Sequence, residues 1–74
     1  MDKENLISTV FQGKWYVENV IDEKSIATGN GGIIVTFKVI VHDISDPLVK
    51  YSAKISGIED DGVWDFTLGI PLSE

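Results

Sequence analysis

The stretch GIIVTFKVIVHD, residues 32–43, carries the strongest strand pattern in the chain. Its apolar residues recur at every second position and are mostly β-branched or aromatic, which is typical of a β-strand. One face carries Ile33, Val35, Phe37, Val39 and Val41, and the other carries Ile34, Thr36, Lys38, Ile40 and His42. Because isoleucines occur on both faces, we predict a central strand over 32–42 whose second face is partly covered by a helix or a partner.

Three further runs with the same two-residue period flank this strand and predict strands over 14–22, 48–58 and 63–70. Their inward-facing residues are expected to be Trp15, Val17 and Ile21, then Val49, Tyr51, Ala53 and Ile55, then Trp64, Phe66, Leu68 and Ile70. The Asp61-Gly62 step predicts a hairpin between the last two strands. The glycines of residues 29–32 predict a long, mobile hairpin loop over 22–32.

The N-terminal segment has a helical pattern instead. Asp2 is a helix-capping residue, and Leu6, Ile7, Val10 and Phe11 recur at helical spacing, so we predict a helix over 3–11. A helix this short is unstable alone and must pack on the sheet as a lid. The expected fold is therefore α+β but mostly β: one domain, 1–74, with a short helix on a four-stranded antiparallel meander sheet, either open or curled into a partial barrel.

The composition excludes several kinds of chemistry. The 74 residues include no cysteine, no arginine and a single histidine, and twelve acidic residues against six lysines give a net charge of −6. Disulfides and thiolate metal sites are therefore impossible, and direct nucleic-acid binding is disfavoured. We predict no cofactor and no metal. A domain of this size is marginally stable alone, which favours self-association or a permanent partner.

Three short motifs invite a catalytic or ligand-binding interpretation. His42 beside Asp43 resembles a general-base pair, but neighbouring strand residues point to opposite faces and no serine lies in an activating motif. We therefore predict an exposed strand-end histidine and no enzyme activity.

Glu59, Asp60 and Asp61, with Asp65 nearby, lack the alternating ligands of a calcium loop and are better explained as a solvated hairpin tip. The glycine-rich segment 29–32 leads into a strand and not a helix, so it is not a phosphate loop.

The chain has no run of about 18 apolar residues, and its first residues, MDKENLISTVFQ, lack the basic and long apolar regions of a signal peptide. We therefore expect no membrane association and a cytoplasmic location. The absence of cysteine fits a reducing compartment.

The stretch Phe11-Gln12-Gly13-Lys14-Trp15-Tyr16, interpreted as a short helix leading into Gly-x-Trp at the head of a strand, resembles the opening of lipocalin-type barrels. The resemblance covers these residues alone. A closed eight-stranded barrel needs about twice this chain length, so the resemblance implies no ligand pocket here.

These features favour a small acidic protein-binding module, an inhibitor or immunity-type protein that blocks a basic functional surface of a protein partner. The predicted partner-binding residues are Tyr16, Asp22, Glu23, Glu59, Asp60 and Asp61. The alternative is a self-assembling structural or accessory subunit, such as a homodimer, because the strand over 32–42 is apolar on both faces and Ile70 and Leu72 form an apolar tail. Small-molecule binding or hydrolysis would need a pocket at a subunit interface.

Overall fold

The computed structural model describes residues 3–58 and 63–72. Within these ranges the chain forms one short helix and five strands, joined in the antiparallel order β1-β2-β3-β4-β5. The elements are α1 (Lys3–Leu6), β1 (Val10–Phe11), β2 (Trp15–Ala27), β3 (Ile33–Asp43), β4 (Asp46–Ile58) and β5 (Trp64–Pro71). The predicted mostly-β meander is confirmed, with five strands where the sequence predicted four. The described part contains no helix long and apolar enough to cross a membrane.

The sheet curls into a half-barrel whose concave face holds the hydrophobic core. The core residues are Leu6, Trp15, Val17, Val20, Val35, Phe37, Val39, Val41, Ala53 and Ile55. Phe11 of β1 stacks on Phe66 of β5 with ring centroids 5.3 Å apart, so side chains from the first and last strands meet across the open side. The opposite, convex face carries the polar side chains described below.

The predicted helix over 3–11 is wrong beyond Leu6. Ser8 adopts a φ of 77°, and β1 pairs with the start of β2, Val10 opposite Tyr16 and Phe11 opposite Trp15. Hydrogen bonds to the edge of β2 explain why these residues are not helical. Ser8 donates its N–H to the Val17 carbonyl, and Val17 donates its N–H to the Thr9 carbonyl, both at 2.9 Å. These hydrogen bonds outweigh a weak local helical preference. Part of the predicted stripe still covers the core, since Leu6 is fully buried and Ile7 and Phe11 are partly buried against it.

A tight turn, and not a helix end, joins β1 to β2. Gln12 and Gly13 have φ values of 57° and 67°, and Lys14 donates its N–H to the Phe11 carbonyl at 3.0 Å. Positive φ at both central residues is the geometry that two-residue hairpin turns favour. The stretch that resembles a lipocalin opening therefore forms a hairpin in this chain.

The predicted loop over 22–32 is also wrong, because β2 continues to Ala27 and the turn occupies only residues 28–32. Thr28 closes this turn: its hydroxyl accepts a hydrogen bond from Gly32 N–H at 3.0 Å, and its N–H donates to the Gly32 carbonyl at 2.8 Å. Every residue of 21–27 is exposed. We call residues 21–34, the exposed end of the β2–β3 hairpin, the distal arm.

Two bulges change which side chains of β2 face the core. The register with β3 shifts between Val17 and Asn19 and again between Val20 and Asp22, so one extra residue is inserted at each place. Val20 consequently faces the core, whereas Ile21 is 50% exposed. The predicted faces of Val20 and Ile21 are therefore wrong, since strict alternation does not survive a bulge.

The last two strands also depart from the predicted pattern. β4 begins at Asp46, after a turn in which the Asp43 carboxylate accepts the Ser45 N–H at 2.8 Å. On β5, Trp64 and Phe66 are half-buried, whereas Ile70 is 71% exposed. Two factors account for this: the β4–β5 register shifts between Tyr51 and Ala53, and β5 is an edge strand over the described residues. The other predicted core residues found exposed are Ile33, Val49 and Leu68.

Candidate functional site

Four side chains from three strands meet on the convex face near the N-terminal end of β2. Glu18 on β2 contacts His42 on β3, Oε2 to Nδ1, at 2.7 Å, and also forms an ion pair with Lys50 on β4. The Tyr16 ring stacks on the His42 ring at 4.9 Å, and the Tyr16 hydroxyl lies 2.9 Å from the Ser8 hydroxyl. We call Tyr16, Glu18, His42 and Lys50 the convex clasp.

The bulge at Glu18 makes this arrangement feasible. Val17 pairs with Val41 and Asn19 with Ile40, which leaves Glu18 without a register partner. Burial raises the pKa of the Glu18 carboxyl, but the hydrogen bonds and electrostatic attraction of Lys50 and His42 outweigh burial and hold that pKa below its ordinary value. Glu18 is therefore an anion that joins β2 to β3 and β4.

The predicted exposed strand-end histidine is wrong. The His42 side chain is only 17% exposed and lies against Glu18, while the neighbouring Asp43 pairs with Lys14 at 3.5 Å. A carboxylate that orients an imidazole is one part of a general-base site. Among the described residues no hydroxyl is hydrogen-bonded to His42, and that of Ser8 is hydrogen-bonded to Tyr16. The contacts of the described residues thus support a structural clasp.

The three predicted partner-binding residues that the structure describes, Tyr16, Asp22 and Glu23, do not form one patch. Tyr16 lies in the convex clasp, roughly 20 Å along β2 from Asp22 at the usual rise per strand residue. Asp22 pairs with Lys38 on the convex face, whereas Glu23 pairs with Phe37 and shares the concave side. Both carboxylates are exposed on the distal arm. Glu59, Asp60 and Asp61 lie outside the described residues.

The distal arm also presents a strand edge. β1 pairs with β2 only at residues 15 and 16, so residues 22–27, DEKSIA, have β3 on one side and no strand on the other within the described structure. Their register with β3 runs from Asp22 to Ala27 without a shift. Such an edge offers backbone N–H and C=O groups to another chain, although the Glu23 N–H already donates to the Asp22 carboxylate at 2.9 Å.

The convex face also carries a group of lysines that the sequence pattern did not predict. Lys38 and Lys54 are register partners on β3 and β4, and Lys24 pairs with Thr36 one row further along. Lys38 and Lys54 lie on the outward faces of two predicted strands, whereas Lys24 lies in the predicted loop, and only the register shows that the three are neighbours. The described residues contain no group of three or more histidine, aspartate or glutamate side chains placed to hold a metal ion.

Comparison of the chain with protein-family models, with curated proteins and with solved structures found no match.

Proposed function

We propose that this chain is a small, non-catalytic, cytoplasmic protein-binding module of the inhibitor or immunity type, which covers a basic functional surface of a partner protein. The observation that supports this proposal best is the distal arm: an extended, regular edge over residues 22–27 with every side chain exposed. An extended segment of the partner would add to this edge as a further strand, with main-chain hydrogen bonds supplying affinity.

Charge and apolar contact would provide the specificity. Asp22 and Glu23 place carboxylates on both sides of the arm, and the net charge of −6 would steer the approach of a basic partner. Ile26, which is 63% exposed, is the largest apolar side chain on this edge and would fill a pocket beside the added strand. Glu59, Asp60 and Asp61 would extend the negative surface, as the sequence predicts.

The test is capture of partners from source-cell extract by the tagged protein at low and high salt, followed by measurement of Kd for each captured protein. We expect Glu23→Lys to weaken binding by about tenfold at low salt and by less at high salt. Ile26→Asp should weaken binding at both salt concentrations, because it removes an apolar contact. The matched controls are Asp46→Lys and Leu48→Asp, which make the same kinds of change at the opposite end of the sheet.

Equal loss of affinity in the arm variants and in the controls would show that binding does not use the arm. Affinity that is indifferent both to Glu23→Lys and to salt would contradict the electrostatic part of the proposal. Circular dichroism of each variant checks that the fold is retained.

Self-assembly is a second candidate, favoured by the edge strand β5. Four apolar side chains on β5 or beside it are exposed: Val63, Leu68, Ile70 and Leu72. Antiparallel pairing of two β5 strands would cover them and extend the sheet across two chains. Light scattering over a wide concentration range tests this idea. A dimer that Ile70→Lys dissociates would support it, and a monomer at every concentration would reject it.

A further inference from the structure

Three of the six lysines in this acidic chain gather on the convex face of β2, β3 and β4. Lys38 and Lys54 lie directly opposite each other, and cross-strand partners have Cβ atoms only about 5 Å apart. Two like charges in this position repel each other and destabilise the sheet. The protein has twice as many acidic residues as lysines, so a repulsive lysine pair indicates a function that offsets its cost in stability. We call Lys24, Lys38 and Lys54 the lysine cluster.

Nearby carboxylates only partly offset this charge. Asp22 lies opposite Lys38, and Asp65 lies opposite Ser56 on the neighbouring row. Over the described ranges the ion pairs within 4.0 Å use Lys14, Lys50 and His42, and none uses a lysine of the cluster. Three ammonium groups against two carboxylates leave a local excess of positive charge.

Two small cavities meet at the cluster and share Lys38 and Lys54 in their walls. One, of about 190 Å³, lies towards β5 and is also lined by Ser52, Thr67 and Gly69. The other, of about 210 Å³, lies towards β2 and is also lined by Asp22, Lys24 and Thr36. Both are smaller than the pockets of drug-sized ligands, so only a small molecule or a single group fits them. The lining of the first is mostly apolar and that of the second is mostly polar, so a charged group fits the second better.

The first cavity depends on the close approach of β5 to β4. A Cβ on Gly69 would lie 2.5 Å from the Ser52 hydroxyl and 2.7 Å from the Ser52 carbonyl, so only glycine fits there. The Ser52 hydroxyl accepts a hydrogen bond from the Ile70 N–H at 3.3 Å. Thr67 lines the first cavity and Thr36 lines the second, each together with Lys38 and Lys54.

We propose that the lysine cluster binds the phosphoryl group of a small molecule, seated between Lys38 and Lys54. A tetrahedral phosphoryl group presents several charged oxygens, which match separate ammonium point charges and hydroxyl donors. The planar, bidentate recognition that arginine gives to carboxylates is absent from this chain. A long polyanion is disfavoured by the net charge of −6, which repels the phosphates that lie beyond the cluster.

The test is a titration followed by backbone-amide NMR at constant ionic strength, with chloride as the balancing anion. The probes are inorganic phosphate, phenyl phosphate and a short oligothymidylate. We expect saturable shifts at the amides of Lys38, Lys54 and Thr67 with both phosphates. Lys54→Gln should weaken binding by about tenfold, since it removes one charge-assisted hydrogen bond. Lys14→Gln, which makes the same charge change outside the cluster, should change the affinity by less than about twofold.

Thermal unfolding gives an independent result. Without phosphate, Lys54→Gln should raise Tm by about 2 °C because it relieves the repulsion with Lys38, and phosphate should raise Tm of the wild-type chain more than that of the variant. If phenyl phosphate binds more tightly than inorganic phosphate, the ligand is an organic phosphate. If the two bind equally, the ligand is free phosphate. Both results support the proposal. Shifts that chloride reproduces, shifts that Lys54→Gln leaves unchanged, or tighter binding of the oligothymidylate would overturn it.

Discussion

Glu18 links three strands on the convex face of the sheet. Its carboxylate contacts side chains from two further strands, and the bulge in β2 leaves it without a partner of its own. Its pKa is lowered although burial acts in the opposite direction, so the interactions with Lys50 and His42 dominate. The carboxylate thus acts as a charged cross-link between strands that are far apart in the sequence.

This cross-link makes a pH-dependent contribution to stability. Because the folded-state pKa lies below the ordinary value of 4.5, the contribution is fully present above that pH and is lost as the pH falls through the folded-state pKa. Glu18→Gln should lower the free energy of unfolding by about 1 kcal/mol at neutral pH, and the deficit should shrink in acid. Urea unfolding of the wild-type chain and of Glu18→Gln, from neutral pH to acid, measures this deficit.

Asp46→Asn is the matched control for Glu18→Gln, since it removes an exposed carboxylate. Its effect on stability should be small at every pH. A Glu18→Gln deficit of the same size in acid and at neutral pH would contradict the assignment to the ionised carboxylate.

Gly57 is a second residue whose identity the packing requires. A Cβ at this position would lie 2.6 Å from the Val63 carbonyl and 2.9 Å from the Trp64 ring. Gly57→Ala should therefore lower the free energy of unfolding by about 1–3 kcal/mol, as overpacking does elsewhere. Gly29→Ala, where nothing lies within 4 Å, is the control and should be close to neutral. Similar denaturation midpoints for the two variants would show that β4 and β5 are less tightly packed here.

At the scale of elements, the β2–β3 hairpin is divided into a core part and an exposed part. Residues 35, 37, 39 and 41 of β3 are buried under the curl of the sheet, whereas residues 21–27 of β2 are exposed. The arm therefore depends on backbone pairing and on the Thr28 turn more than on burial. Segments with few buried contacts open at lower free energy than the core.

Hydrogen exchange should resolve these two parts of the hairpin. Amides paired in the arm should exchange through local openings, whereas those of the buried part of β3 should require global unfolding. Thr28→Val keeps the shape of the side chain but removes the hydroxyl that holds Gly32, so it should speed exchange in the arm by several-fold and leave the core rates nearly unchanged. Equal acceleration in both parts would mean that the arm and the core unfold together.

At the scale of the molecule, aromatic contacts hold the half-barrel in its curled shape. Phe66 of β5 stacks on Phe11 at 5.3 Å and lies 6.5 Å from the ring of Trp15, which itself packs edge-on against Tyr51 at 5.2 Å. These contacts join β1 and β5, which are at opposite ends of the strand order. The core is closed by side chains on the open side of the sheet.

A double-mutant cycle measures this closing contact. Phe66→Ala should lower the free energy of unfolding by about 2–3 kcal/mol, somewhat less than for a fully buried phenylalanine. The coupling energy between Phe11→Ala and Phe66→Ala should be about 0.5–1.5 kcal/mol, the range for aromatic pairs. A coupling energy near zero would show that the two edges do not stabilise each other.

Much of the architecture follows from local sequence pattern. Two-residue alternation and turn residues predict the antiparallel meander, and they place Val35, Phe37, Val39 and Val41 correctly on the buried face of β3. These features are readable because alternation and turn chemistry act between residues close together in the chain. The composition alone likewise excludes disulfides and guanidinium sites.

Only the tertiary structure decided which polar residues meet and where the local patterns fail. Residues 8–11 hydrogen-bond to the edge of β2 and are not helical, and two bulges exchange the faces of Val20 and Ile21. The convex clasp and the lysine cluster both depend on a register between strands that local alternation does not specify. Hydrogen bonding between distant segments and the curvature of the core set that register, and these arise only once the whole chain has folded.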